Sequence, residues 1–272
     1  MPTLRTNDIE TRYLDRGDGP PVVFIHGAKS TRAAWQFQIE ALQDEYRTIA
    51  YDVRDHGATD PSPSNYGIDQ LVDDLHQLIE GLGLDTPVVC GHSMGGFVAQ
   101  RHAVTYPDDA VGHVFADTWT PGHFSKCEYF LMNLVPRLYV KGIDAVGYER
   151  VSQALAVLHS LLITKDGHSE EESVEVTGND SDKFTAERLS RISRVTVQWL
   201  QSSIDLTEVS NPVLFLYGEN ELDYMHAHVG RMAADIDDFR AHEIPDVGHH
   251  PHQENPEVFT EHLETFLAEN AE

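Results

Sequence analysis

Six residues, Gly91-His92-Ser93-Met94-Gly95-Gly96, have the types and spacing of an activated nucleophile. A serine hydroxyl is a poor nucleophile at neutral pH and needs an imidazole to take its proton. Histidine titrates near 6.5, so it can accept that proton and return it to a leaving group; a carboxylate behind it fixes the tautomer and stabilises the imidazolium. Gly91 and Gly95, two positions either side of the serine, let a strand and a helix approach closely, and the strained turn between them lifts the hydroxyl clear. The flanks agree: Pro87-Val88-Val89-Cys90 is strand-like, and 94–106 has a helical pattern ended by Pro107. G-x-S-x-G is common by chance as a plain turn, but strand–turn–helix is the context its nucleophile form requires. The Met94 N–H would then open the helix and point at a developing oxyanion.

Two histidine clusters, His249-His250-Pro251-His252 and His226-Ala227-His228, raise the alternative of a metal. No carboxylate or cysteine completes a recognisable ligand spacing around them, so no metal and no cofactor is expected. His92 reads as a residue packed beneath the serine. Cys90 and Cys127 are the only cysteines and form no CxxC pair, which argues against a disulfide framework, a zinc site or a redox dithiol.

The elements that must position these groups alternate. Apolar runs at 21–25, 48–51, 87–90 and 111–116 read as buried strands, and 34–42, 68–82 and 94–106 as helices. Such alternation implies right-handed crossovers and a mostly parallel sheet. From 121 to 209 the pattern is helical, with helices expected over 129–139, 145–162 and 186–204 and an acidic, solvated loop over 166–182. The βα rhythm resumes with strands at 213–217 and 239–244 and helices at 226–234 and 256–268. The expected organisation is one core from 1–120 and 210–272, with 121–209 inserted as a helical cap over the sheet's carboxyl edge, where such sheets bind ligands. Tyr129, Phe130, Leu131, Leu134, Leu138 and Tyr139 in that cap suit either a pocket lining or a face packed on the core, and Trp119 is a candidate pocket wall.

The chain's 272 residues suffice for one large domain, and 40% hydrophobic residues are ordinary for a globular protein. No stretch of 18 apolar residues occurs, and MPTLRTNDIE lacks the charged-then-apolar layout of a secretory signal, so a cytoplasmic location is expected. Without such a signal, the sequon Asn179-Asp180-Ser181 carries no meaning. A formal net charge of −26 is spread along the chain and would repel nucleic acids and anionic membranes. It suits a halophilic protein in a high-salt cytoplasm, where screening removes the self-repulsion.

Taken in order, these segments resemble the α/β-hydrolase superfamily across nearly the whole chain. His26-Gly27-Ala28 is similar to the family's HG-x oxyanion loop, with Trp35 at a usual spacing. Tyr51-Asp52-Val53-Arg54-Asp55-His56-Gly57 resembles its D-x-R-G-H-G turn, with Asp55 where glycine is usual. Gly91 to Gly96 matches the GHSMGG elbow, and Gly248-His249 followed by Glu254-Asn255-Pro256 resembles the segment that supplies the catalytic histidine.

The resemblance implies an α/β-hydrolase fold with a mostly parallel sheet of about eight strands, Ser93 as nucleophile and His249 as general base. The backbone N–H groups of Ala28 and Met94 would form the oxyanion hole, and Lys29 would line the pocket or lie on the surface. For the acid, the family's usual position, three residues after the glycine ending the sixth parallel strand (Gly218), is Glu221; Asp223, and Asp117 at the end of the strand before the cap, stay open. The implied substrates are small carboxylic esters or lactones. The aspartate nucleophile of dehalogenases and epoxide hydrolases is absent. Carbon–carbon bond hydrolysis or cofactor-free peroxidation on the same residues is an alternative, and a non-catalytic ligand-binding receptor is another.

Overall fold

A computed structural model describes residues 1–122, 184–221 and 223–271, the side chains of Asp223 and Tyr224 excepted. Between 123 and 183 it describes 124, 126, 129, 130, 134, 137, 138, 141, 142, 145–147, 150 and 151. The expected helix 145–162, the acidic loop 166–182, the sequon and Cys127 therefore lie wholly or mostly outside the described residues.

Eight strands form one sheet: β1 (Thr3–Thr6), β2 (Ile9–Arg16), β3 (Pro21–Ile25), β4 (Arg47–Tyr51), β5 (Val88–His92), β6 (Gly112–Ala116), β7 (Val213–Gly218) and β8 (Phe239–Ile244), in the order β1-β2-β4-β3-β5-β6-β7-β8. From β4 to β8 every pairing is parallel. β1 and β2 pair antiparallel with each other, and β2 with β4. This amino-terminal hairpin is absent from the sequence expectation, because polar residues break its apolar runs and only the alternation of Ile9, Thr11 and Tyr13 marks it.

The central strands are largely apolar because both faces are covered. Val23, Ile25, Ile49, Tyr51 and Val89 turn to one face, under α2 (Ile68–Leu82), α3 (Met94–Thr105) and α4 (Ala186–Gln201). Val22, Phe24, Ala50, Val88 and Cys90 turn to the other, against α1 (Gln36–Leu42) and the last helix, whose Phe259, Leu263 and Phe266 are buried there. α4 stops at Gln201, short of the expected 204, because Ser202 turns extended and its hydroxyl donates to the Trp199 carbonyl at 2.8 Å. No described helix is long and apolar enough to cross a membrane.

One loop couples the core to α4. Asp55 stands at φ 65° after β4. Its fully buried carboxylate accepts from Arg191 Nε at 2.6 Å and Nη2 at 2.8 Å, and from the Ser62 N–H at 2.9 Å. Arg191 lies on α4 with its side chain 8% exposed and also meets Glu187. The residue that departs from the family's glycine thus anchors a helix far along the chain.

Candidate active site

Ser93 lies between β5 and α3 at φ 52°, ψ −114°, a backbone region that costs a non-glycine residue roughly 1–3 kcal/mol. Its surroundings hold it there. Its N–H donates to the Ala116 carbonyl at 3.0 Å, and its own carbonyl accepts from the Gly96 and Phe97 N–H groups and from the Thr118 hydroxyl. A Cβ on Gly91 would run into the Gly95 carbonyl, and one on Gly95 into the carbonyls of Ile25 and His26. The hydroxyl therefore stands at the carboxyl edge of the sheet for steric reasons that reach into β3.

His249 follows β8. Its Nε2 lies 3.1 Å from Ser93 Oγ and its Nδ1 2.5 Å from Glu221 Oε1. A carboxylate is an acceptor only, so Nδ1 carries the proton and Nε2 is left to accept from the serine. The loops after β7 and β8 are zipped together to make this contact. The Glu219 N–H donates to the Ile244 carbonyl, the Asn220 N–H to the Val247 carbonyl, and the Asp246 N–H to Glu219 Oε2. A Cβ on Gly218 would strike the carbonyls of Val247 and Gly248.

The histidine's own turn is clamped from two sides. Glu254 accepts from the Gly248 N–H at 3.0 Å and the His250 N–H at 3.1 Å. The buried His92 donates from Nε2 to the His249 carbonyl at 2.6 Å, and burial drives its pKa well below the usual histidine range. His92 is thus a buried residue that braces the turn of His249. The sequence marks the position of Glu254 in the glycine–histidine segment but carries no signal for this clamping role.

Of the three candidate acids, Glu221 is brought to His249. The side chain of Asp223 lies outside the described residues, and its backbone opens the helix Asp223–Asp235. Asp117 directly follows β6 at φ 39°, fully buried, with its carboxyl group accepting from the Gly218 N–H at 3.3 and 3.4 Å.

Ala28 lies in the loop after β3, and Met94 is the first residue of α3. Gly27 brings that loop to the serine: a Cβ on it would be 3.2 Å from Ser93 Cβ. Two buried histidines brace the loop, and sequence reasoning left both unassigned beyond their motifs. His26 donates from Nδ1 to the Gly27 carbonyl and accepts the Val53 N–H on Nε2; burial lowers its pKa to about 4. His56 donates from Nδ1 to the Arg54 carbonyl and accepts the Lys29 N–H on Nε2; burial, and then His26, lower its pKa to about 3. Both stay neutral at pH 7, as an accepting nitrogen requires. Lys29 itself is exposed, at φ 60°.

Trp119 is buried, packed on Phe97 at 4.5 Å and Phe124 at 5.0 Å. Tyr129, Phe130, Leu134 and Leu138 are exposed, while Leu131 and Tyr139 fall outside the described residues.

The model of the alpha/beta hydrolase family matches residues 22–262. Epoxide hydrolase 1 of Caenorhabditis elegans is 34% identical over 130 residues, 46% of this chain and 32% of the relative. 3-Oxoadipate enol-lactonase 2 of Acinetobacter baylyi is 36% identical over 108 residues, 39% of this chain and 40% of the relative. The chain thus spans well under half the length of these curated relatives. Among solved structures, that of a carboxylesterase from Nitrososphaera gargenis superposes with a TM-score of 0.82 at 20% identity, covering 98% of each chain, and shows the shared fold. The match over residues 22–262, with the sheet order described above, places the chain in the alpha/beta hydrolase family.

Proposed function

We propose that the protein is a serine hydrolase that cleaves a small carboxylic ester or lactone through an acyl-enzyme, without a cofactor. The observation that carries this reading is the relay from Ser93 Oγ to His249 Nε2 (3.1 Å) and from His249 Nδ1 to Glu221 Oε1 (2.5 Å). Ser93 attacks the carbonyl carbon while His249 takes its proton. The Ala28 and Met94 N–H groups receive the oxyanion, and His249 returns the proton to the leaving alkoxide. Water, deprotonated by the same imidazole, then releases the acid. The side chain of Glu221 is 6% exposed, so its charge stabilises the imidazolium with little solvent screening.

The named relatives include an epoxide hydrolase and an enol-lactonase, and a fold alone does not choose between them. A hydroxyl activated by a neutral imidazole supports acyl transfer, whereas the epoxide reaction, on the resemblance above, uses an aspartate where Ser93 stands. In this reading 121–209 caps the site, and the net charge of −26 suits work in molar salt. The test is intact-mass analysis after a fluorophosphonate, with p-nitrophenyl ester turnover in molar KCl. One adduct on Ser93, with turnover lost in Ser93→Ala, is expected. A folded protein that forms no adduct and turns over no ester overturns the reading, and turnover of vinylogous diketones alone redirects it to carbon–carbon hydrolysis.

A further inference from the structure

Asp117 is a buried carboxyl that the relay above leaves unused. One of its oxygens, one oxygen of Glu221 and a ring nitrogen of His249 all lie within 4.8 Å of one another. Asp117 is fully buried and the Glu221 side chain is 6% exposed, so neither charge is well hydrated. Two carboxylates this close in such surroundings do not both ionise.

The hydrogen bonds decide which one keeps a proton. Glu221 receives the short bond from His249 Nδ1, whereas Asp117 has the Gly218 N–H at 3.3 and 3.4 Å. Of the titratable groups facing Asp117, His249 favours its ionised form, while Glu221 and Glu254 oppose it. Burial is the largest influence and drives its pKa well above the usual carboxylate range.

We propose that Asp117 is a second acid behind His249, sharing one proton with Glu221 and ionising to take over the contact with His249 Nδ1 when Glu221 cannot carry charge. The inference rests on the Ser93–His249–Glu221 reading. In the resting protein the shared proton sits on Asp117. In Glu221→Gln the repelling charge is gone, Asp117 releases its proton to solvent, and its carboxylate accepts from His249 Nδ1–H after a small side-chain shift. Asp117 acts through the histidine and is a positioning residue.

The test combines kinetics with infrared spectroscopy. Removal of the only triad acid costs about 10⁴-fold in kcat. Glu221→Gln is expected to lose no more than about 10²-fold, with the acid limb of its pH–rate profile moved to higher pH because Asp117 must now ionise. Glu221→Gln/Asp117→Asn is expected to show the full loss, about 10⁴-fold. The wild type at pH 7 is expected to show a protonated-carboxyl C=O stretch that Asp117→Asn removes. If Glu221→Gln is already as inactive as the double variant while still folded, or if no such band is lost, the proposal is overturned. Should Asp117→Asn not fold, the activity and pH profile of Glu221→Gln decide alone. The infrared measurement needs no substrate, so a wild type that hydrolyses no ester would sink the functional reading and still leave the proton on Asp117 to be found or not.

Discussion

Replacing Asp55 by the glycine usual at its position should destabilise the protein, although a glycine relieves strain. At φ 65° a non-glycine residue costs about 1–2 kcal/mol, so Asp55→Gly recovers about that much. Against this stands Arg191, whose side chain is 8% exposed and which would keep, among the described residues, only the Glu187 carboxylate on its guanidinium. Breaking a buried ion pair by removing one partner costs about 3–5 kcal/mol, because the remaining charge is left uncompensated. The Ser62 N–H also loses its acceptor. The net expectation is a loss of about 2–4 kcal/mol, or roughly 5–10 °C in melting temperature for a domain this large. Thermal and urea denaturation of Asp55→Gly, Arg191→Met and the double variant measure it, and the double variant should recover most of the loss, since both charges leave together. A single variant as stable as wild type, or losses that simply add, would refute the claim that this pair holds α4 to the core.

Stability should fall between pH 7 and pH 5. His26 titrates near 4 when folded and near 6.5 when unfolded, so its contribution is complete above 6.5 and is lost on acidification toward 4; it alone gives up about 2 kcal/mol by pH 5. His56, His92, His113 and His252 are lowered in the same direction by burial. Urea midpoints in molar KCl, where surface repulsion is screened, test this; an equal or higher midpoint at pH 5 contradicts it. Glu254→Ala should lower kcat about tenfold with little change in KM, because the turn carrying His249 loses two backbone anchors, and an unchanged kcat would remove Glu254 from that role. Gly95→Ala should yield little folded protein, its methyl driven into the carbonyls of Ile25 and His26; a stable, active variant would show that the elbow has room to give. The melting temperature should rise from low to molar KCl, and a flat or falling curve would leave the net charge of −26 without its salt rationale.

Strands β3 to β8 are legible, the first five as short, largely apolar runs bounded by turn residues and β8 by its apolar ends Phe239 and Ile244, and Ser93 and His249 stand in segments with strict local spacing. Glu221 was legible only as one of three acids. What separates it from Asp117 is which carboxylate the zipped loops after β7 and β8 deliver to Nδ1, a tertiary outcome with no local signature. The hairpin β1–β2 carries no such signal, because it lies toward one edge of the sheet, where polar residues replace the apolar run. The pairing of Asp55 with Arg191 spans 136 residues, and nothing near either residue announces it. Helix Asp223–Asp235 runs about a turn longer at its start than its apolar pattern suggested.

The relay has a bearing on how the chain reaches its working state. Ser93 and His249 are 156 residues apart, and the strands that carry them are separated in the sheet by β6 and β7. Contacts of such sequence separation are slow to form, since the loop entropy must be met before they return anything. During synthesis β5 and β6 emerge long before β7 and β8, so the edge of β6 waits uncovered while the intervening segment is made. On the function proposed above, reactivity at Ser93 would therefore report on completion of the whole sheet. Two fragments divided within 123–183 should be inert apart and regain fluorophosphonate labelling only when mixed and annealed along β6 and β7.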